Sequence, residues 1–212
     1  MQSSFFEGYR FMNLLLQAAY AWAQLTCAEY RITVGRKGHT SCFQLCFSPE
    51  DFPHLCGMQY ARDVDFGLRR NEFEGGKLLD SLLSGKLDGA RLEKSRNWEK
   101  IKGRLNAIIC LEQTLESDFV IARFDSKRVL TGSKIQAEYV IQNTTTGEIF
   151  FIFLDKDQSQ RYYCKSAFAK TNVDYLKNQA LVTLLEKEKY IDGTWKLLFR
   201  HPNYIQEPAE IG

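Results

Sequence analysis

Three histidines stand in a chain of 212 residues, and one of them, His54, lies in a run that holds it stiffly. From Ser48 to Tyr60 the chain places Pro49, Pro53 and Gly57 around that imidazole. Each proline fixes its own φ and drives the residue before it toward extended geometry, and a glycine permits a backbone approach that a Cβ would block. An imidazole framed in this way suits proton transfer near neutrality, where its unperturbed pKa lies. It equally suits a histidine that only packs a turn with its ring nitrogens satisfied. A second chemically rich segment is Gln160 to Ser166, whose Arg161, Tyr163 and Lys165 alternate onto one face of a strand. RNA cleavage without a metal needs a base for the ribose 2′-OH, an acid for the leaving 5′-oxygen and cations for the phosphorane. One histidine beside an Arg/Tyr/Lys face supplies all three, whereas the same strand without that histidine is a solvated polar face.

Further candidates lie on a long amphipathic stretch from about Ser95 to Glu116, where Trp98, Ile101, Leu105, Ile108, Ile109 and Leu115 make one apolar stripe at helical spacing. Arg96, Lys100 and Arg104 follow one another at i, i+4 and i+8 on another face. Lys86 to Arg104 holds seven basic and three acidic residues, the best local patch for phosphate contacts, though a solvated helix face has the same composition. Glu112 falls inside the apolar stripe, so it must be paired, hydrogen-bonded or protonated, either as a structural acid or as a catalytic one. Six cysteines stand at 27, 42, 46, 56, 110 and 164 with no CxxC pair. On a strand Cys42 and Cys46 would lie about 13 Å apart, too far to share one metal. Buried reduced thiols and a reducing, cytoplasmic location fit them better. No GxGxxG, GxxxxGK[ST], HExxH or GxSxG is present, and no tight cluster of carboxylates, so neither a cofactor nor a metal is expected.

These groups need elements to position them. Phe11 to Ala23 reads as an amphipathic helix, since Glu7, Asn13 and Gln17 break any signal-peptide pattern. Glu29 to Val34 and Thr40 to Phe47 read as two strands of a hairpin, Phe52 to Asp63 as a short helix with Pro53 in its first turn, and 75 to 84 as another helix. Strands follow at Phe119 to Phe124, Lys134 to Gln142, Glu148 to Leu154, Gln160 to Ala167, Leu181 to Lys187 and Thr194 to Arg200. Turns at Thr144 to Gly147 and Asp192-Gly193 join neighbouring strands. Successive hairpins without long crossover helices predict an α+β fold, with N-terminal helices packed on a mainly antiparallel sheet of about four to six strands. One domain over 1–212 is the economical arrangement, mainly helical with an early hairpin over 1–116 and sheet over 117–212.

Composition sets the outer bounds. The 44% hydrophobic content is ample for a packed core, and a net charge of +2 is too small by itself to argue for nucleic acid or an anionic membrane. No segment reaches the ~18 uninterrupted apolar residues of a membrane span. Aromatic residues fall mostly in apolar strands, which favours core packing over a base-stacking platform.

The ordered set Asp51-Phe52-Pro53-His54-Leu55-x-Gly57-x-Gln59-Tyr60, Arg104-Leu105, Leu111-Glu112, Ala137 to Ile141, the phenylalanines of 150–153, Tyr163-Cys164-x-Ser166 and Thr183 to Glu188 resembles one group of phage-associated nucleases. It is the fourth group of the phage Barnase-EndoU-Colicin-RelE-like nucleases, and the likeness spans about residues 28 to 200. The resemblance implies helices on an antiparallel sheet and metal-independent RNase activity in phages or mobile elements, with RNA as partner and an inhibitor or immunity protein as a further one. Active-site residues differ between families of that superfold, so the candidate roles rest on chemistry. His54 is the acid or base, Tyr163 a proton donor or orienting group, and Arg161 and Lys165 stabilise the phosphorane. Ser166 and Lys134 are secondary candidates, and Arg96, Lys100, Arg104 and Lys134 are the substrate-binding set. Two other functions fit the same residues: an inactive relative that binds RNA or protein, and a different phosphoryl or glycosyl transferase.

Overall fold

The computed structural model describes residues 13–65, 76–143 and 147–205. The chain opens on helix α1 (Leu14–Leu25), which Asn13 caps by accepting a hydrogen bond from the Leu16 amide at 3.0 Å. Its Leu15, Ala18, Trp22 and Leu25 are buried, as helical spacing requires of an amphipathic face. Phe11 and the Thr144 to Thr146 part of the expected turn lie outside the described residues. Strands β1 (Glu29–Arg36) and β2 (His39–Cys46) form the expected hairpin, with Arg36 opposite His39 at its tip. A 3₁₀ turn at Pro49–Asp51 leads into the one-turn helix α2 (Phe52–Leu55), and a second 3₁₀ turn follows at Met58–Tyr60. Helix α3 covers Lys77–Leu83, and a 3₁₀ segment covers Gly89–Lys94.

The long helix expected from Ser95 to Glu116 is two helices, α4 (Trp98–Ile109) and α5 (Leu111–Glu116), divided at Cys110. Its start is displaced as well, because the Asp63 carboxylate accepts from the Ser95 hydroxyl at 2.8 Å and the Arg96 amide at 2.7 Å. Arg96 therefore precedes α4 instead of sharing a face with Lys100 and Arg104. The break lets α5 turn Glu112 and Glu116 onto the Lys189 ammonium, at 2.7 and 2.6 Å. Glu112 is thus held by a lysine.

Strands β3 (Phe119–Arg123), β4 (Tyr139–Asn143), β5 (Phe150–Lys156), β6 (Tyr162–Ala169), β7 (Ala180–Ile191) and β8 (Thr194–Arg200) follow. Here the structure corrects the expected architecture. The strands run in the order β1-β2-β6-β5-β4-β3-β7, and β7 pairs back onto β1, so seven strands close into a barrel with β8 appended to β7. Neighbours are antiparallel except β2 and β6, which pair in parallel at Leu45↔Tyr162 and Cys46↔Tyr163. The hairpin that local pattern sets apart from the later sheet is what closes it, because β1 meets β7 on one side and β2 meets β6 on the other. Closure also removes two sheet edges that would otherwise carry unpaired backbone groups.

One core runs from the helices into the barrel, taking in Trp22, Leu55, Leu105 and Ile108 with Tyr30, Ile32, Leu45, Ile141 and Leu154. Across the interior Phe43 stacks on Tyr139 at 5.1 Å and meets Tyr162 at 4.4 Å. A smaller cluster on the outer wall buries Phe151 and Phe153 under Phe124, Phe168 and Tyr175. Of the six free cysteines only Cys56 and Cys164 are buried, while Cys27 and Cys42 are exposed, which corrects the expectation of generally buried thiols. Among the described residues no helix is long and apolar enough to cross a membrane.

Candidate active site

Arg104 is the residue that organises the site, although it reads in sequence as a solvent-facing helix cation. It is buried on α4, packed against α2 and β6, and its Nη1 donates at 3.5 Å to both the Leu55 carbonyl and the Ser166 hydroxyl. Its guanidinium lies 5.2 Å from the Tyr60 ring and 5.5 Å from the Phe168 ring. Gly57 makes the approach possible. With φ +87° it turns the chain after α2, and a Cβ there would stand 3.0 Å from Arg104 Cδ. On the far side α4 crosses β6 closely at Gly103, where a Cβ would meet that of Ala169 at 3.3 Å.

His54, on α2, looks onto this cation. Partial burial lowers its pKa, and the charges of Arg104 and Lys165 lower it further, while a hydrogen bond with the Lys165 backbone acts the other way. These causes together favour the neutral ring. Lys165 stands on β6 at an irregularity in the β5–β6 register, where Phe153 faces Ser166 and Leu154 faces Cys164. Its ammonium pairs with Asp155. Tyr60 is shifted too. Burial pushes its phenol up, but Arg104 and the Lys100 ammonium 3.7 Å above its ring outweigh that and leave the pKa lowered. Sequence reasoning passed over Tyr60, even though it closes the His54 run and lies within helical reach of two cations once α4 is docked.

From Tyr60 a groove of about 850 Å³ extends along α4 to the end of β6, lined by Lys100, Lys102, Arg104, Lys134, Phe168 and Lys170 among others. Three of the four residues expected to bind substrate, Lys100, Arg104 and Lys134, thus share one groove. Arg96 lines a smaller hollow with Arg62 and Asp63. The strand face expected around residue 160 is divided. Lys165 stands beside His54, Ser166 backs Arg104, and Arg161 and Tyr163 line a different hollow of about 680 Å³ with Pro49, Glu50 and Asp51. Arg161 is salt-bridged to Asp157 at 3.3 Å in the turn before β6. Asp51 in that hollow carries a carboxyl pushed up by burial. Among the described residues no group of three or more His, Cys, Asp or Glu side chains is placed to hold a metal ion.

A family model described as phage-Barnase-EndoU-ColicinE5/D-RelE like nuclease4 matches residues 14–199, which include every group just described. The chain belongs to this family of nucleases. No curated protein and no solved structure matches it. The nuclease lines this groove with four lysines and Arg104 beside Glu99 and Glu148, and the cations suit a polyanion partner, since phosphate contacts by Lys and Arg supply most of the affinity for nucleic acid.

Proposed function

We propose that the nuclease is a metal-independent endoribonuclease that cuts by attack of the ribose 2′-OH on the adjacent phosphate. The observation that carries this reading is the buried Arg104, 5.2 Å from the Tyr60 ring, whose charge lowers the pKa of both His54 and Tyr60. His54 takes the proton of the 2′-OH as general base. Tyr60, whose phenol gives up its proton more readily beside two cations, serves the leaving 5′-oxygen as general acid. Arg104 and Lys165 face the charge that builds on the phosphorane. Ser166 positions the guanidinium from behind, and Lys100 and Lys134 hold flanking phosphates.

RNA is favoured over DNA by the chemistry of the nucleophile. The 2′-OH is already part of the substrate, so its attack needs only a base and charge stabilisation, whereas DNA must be cut by a water that has to be activated separately. The test is incubation of labelled RNA with the protein in EDTA, beside His54→Ala and Tyr60→Phe variants verified as folded by circular dichroism. Fragments ending in 2′,3′-cyclic phosphate, lost by roughly a hundredfold or more in His54→Ala, are expected. Equal cleavage by the two variants and the parent would remove both residues from the mechanism, and binding without any cleavage would favour an inactive RNA-binding relative.

A further inference from the structure

The two ends of the barrel are closed differently. At one end Glu112 and Glu116 of α5 pair with Lys189, and Lys187 donates to the Ser117 carbonyl. The other end differs. Its mouth is a hollow of about 250 Å³ whose polar lining is Arg36, Lys37, His39, Ser41, Arg123 and Tyr139, with no carboxylate in the lining.

These residues converge by strand register. Arg36 and His39 face each other at the tip of the β1–β2 hairpin, and Arg123 faces Tyr139 across β3 and β4. A contiguous hollow of about 490 Å³ shares Ser41, Arg123 and Tyr139, and adds Lys156 over an aromatic floor that includes Phe43 and Tyr162. The one carboxylate there, Glu138, is matched by Lys156 at 3.1 Å. Arg123 is exposed at the rim, with its guanidinium carbon 5.9 Å from the Tyr139 ring and a hydrogen bond to that side chain. The planar Arg123 fork, the cations Arg36 and Lys37 and the hydroxyls of Ser41 and Tyr139 around a concave mouth are groups that recognise a tetrahedral dianion. Barrel mouths are also common places for ligand sites.

We propose that this mouth is a second anion site, which takes the phosphate group of a nucleotide or of an RNA backbone. It shares no residue with the Tyr60–Arg104 groove, so it holds a phosphate away from the proposed point of cleavage. The experiment is a ¹⁵N NMR titration of the folded protein with inorganic phosphate, a nucleoside monophosphate and a short uncleavable 2′-O-methyl RNA. It is repeated on Arg123→Gln and, to avoid any loss of packing around Tyr139, on the exposed-turn variant Lys37→Ala. Shifts at Ser41, Arg123 and Tyr139 that saturate with any of the three probes are expected. Arg123→Gln should weaken that binding roughly ten- to hundredfold, as loss of a charge-assisted hydrogen bond predicts. Lys37→Ala should weaken it less. Saturation by the monophosphate identifies a free nucleotide as sufficient ligand, and saturation by RNA alone identifies the backbone. Absence of shifts at the mouth with all three probes, or unchanged affinity in both variants, would overturn the proposal. The uncleavable RNA and the small phosphates keep this outcome separate from failure of the ribonuclease reading.

Discussion

Arg104 lowers the pKa of both His54 and Tyr60 by the same charge, and the effect on each follows from which form is charged. A cation nearby disfavours imidazolium and favours phenolate. In Arg104→Gln the His54 pKa should therefore rise toward its ordinary value, as read by the ring proton shifts across a pH series, and the acid limb of RNA cleavage should move up with it. A His54 titration that does not move would show that burial and Lys165 set its pKa without Arg104. His54 also links pH to stability. Its folded pKa lies below the unfolded one, so the unfolded chain binds the proton first as pH falls, and stability is lost as pH drops through that interval.

Lys187 gives a cleaner case of the same linkage. It is fully buried, donates to the Ser117 carbonyl at 2.7 Å, and its pKa is lowered from 10.5 to about 8, by burial against the smaller opposing charges of Asp118 and Glu116. Between those two values the unfolded state holds a proton that the folded state has released, so stability rises with pH across the window. Denaturant melts on either side of it should show this rise in the parent protein and a smaller one in Lys187→Met.

At the scale of elements, the His54 run is an assembly of short turns held to its neighbours at several points. Trp22 Nε1 donates to the Ser48 carbonyl at 2.9 Å and fixes where the run begins. Gly57 fixes where it turns, and Asn97 Nδ2 donates to the Tyr60 carbonyl at 2.8 Å at its end. Gly57→Ala should cost roughly 1–3 kcal/mol, the usual range for a side chain forced into the left-handed region, measured as a lowered urea midpoint. Cleavage should fall by more than the loss of folded protein explains, because the new Cβ presses on Arg104. A variant as active and as stable as the parent would show that the turn does not set the guanidinium.

Across the whole molecule the barrel has one weak seam. β1 pairs with β7 over seven residue pairs, from Glu29↔Tyr190 to Gly35↔Thr183, whereas β2 and β6 share only two in register. Opening there breaks the fewest ladder bonds, so amide hydrogen exchange should be faster at Cys46, Tyr162 and Tyr163 than at Ile32 and Thr33. Equal protection on both seams would mean that the barrel opens only by global unfolding.

Much of this molecule was legible along the chain. Period-two alternation, the Asp192-Gly193 turn and the stripe from Trp98 to Leu115 are local features, and most became a strand, a hairpin or a helix close to where the pattern places it, although β4 begins at Tyr139 and not at Lys134. The run of prolines, glycine and histidine around His54 stood out for the same reason, since backbone constraints are properties of neighbouring residues. The Asn-rich, Gly-rich or Pro-rich signal that would mark the break at Cys110 is absent, so two helices read as one. What tertiary structure alone decided was partnership. Strand pattern says which residues face a core and nothing about which strand lies alongside, and the contacts that close β1 onto β7 and β2 onto β6 join segments more than a hundred residues apart. The same holds for the candidate site. Arg104 looks solvent-facing in sequence because helical periodicity counts charge as exposed. Only the docking of α4 on α2 and β6 buries it beside Tyr60 and Ser166, where its charge lowers the pKa of both His54 and Tyr60.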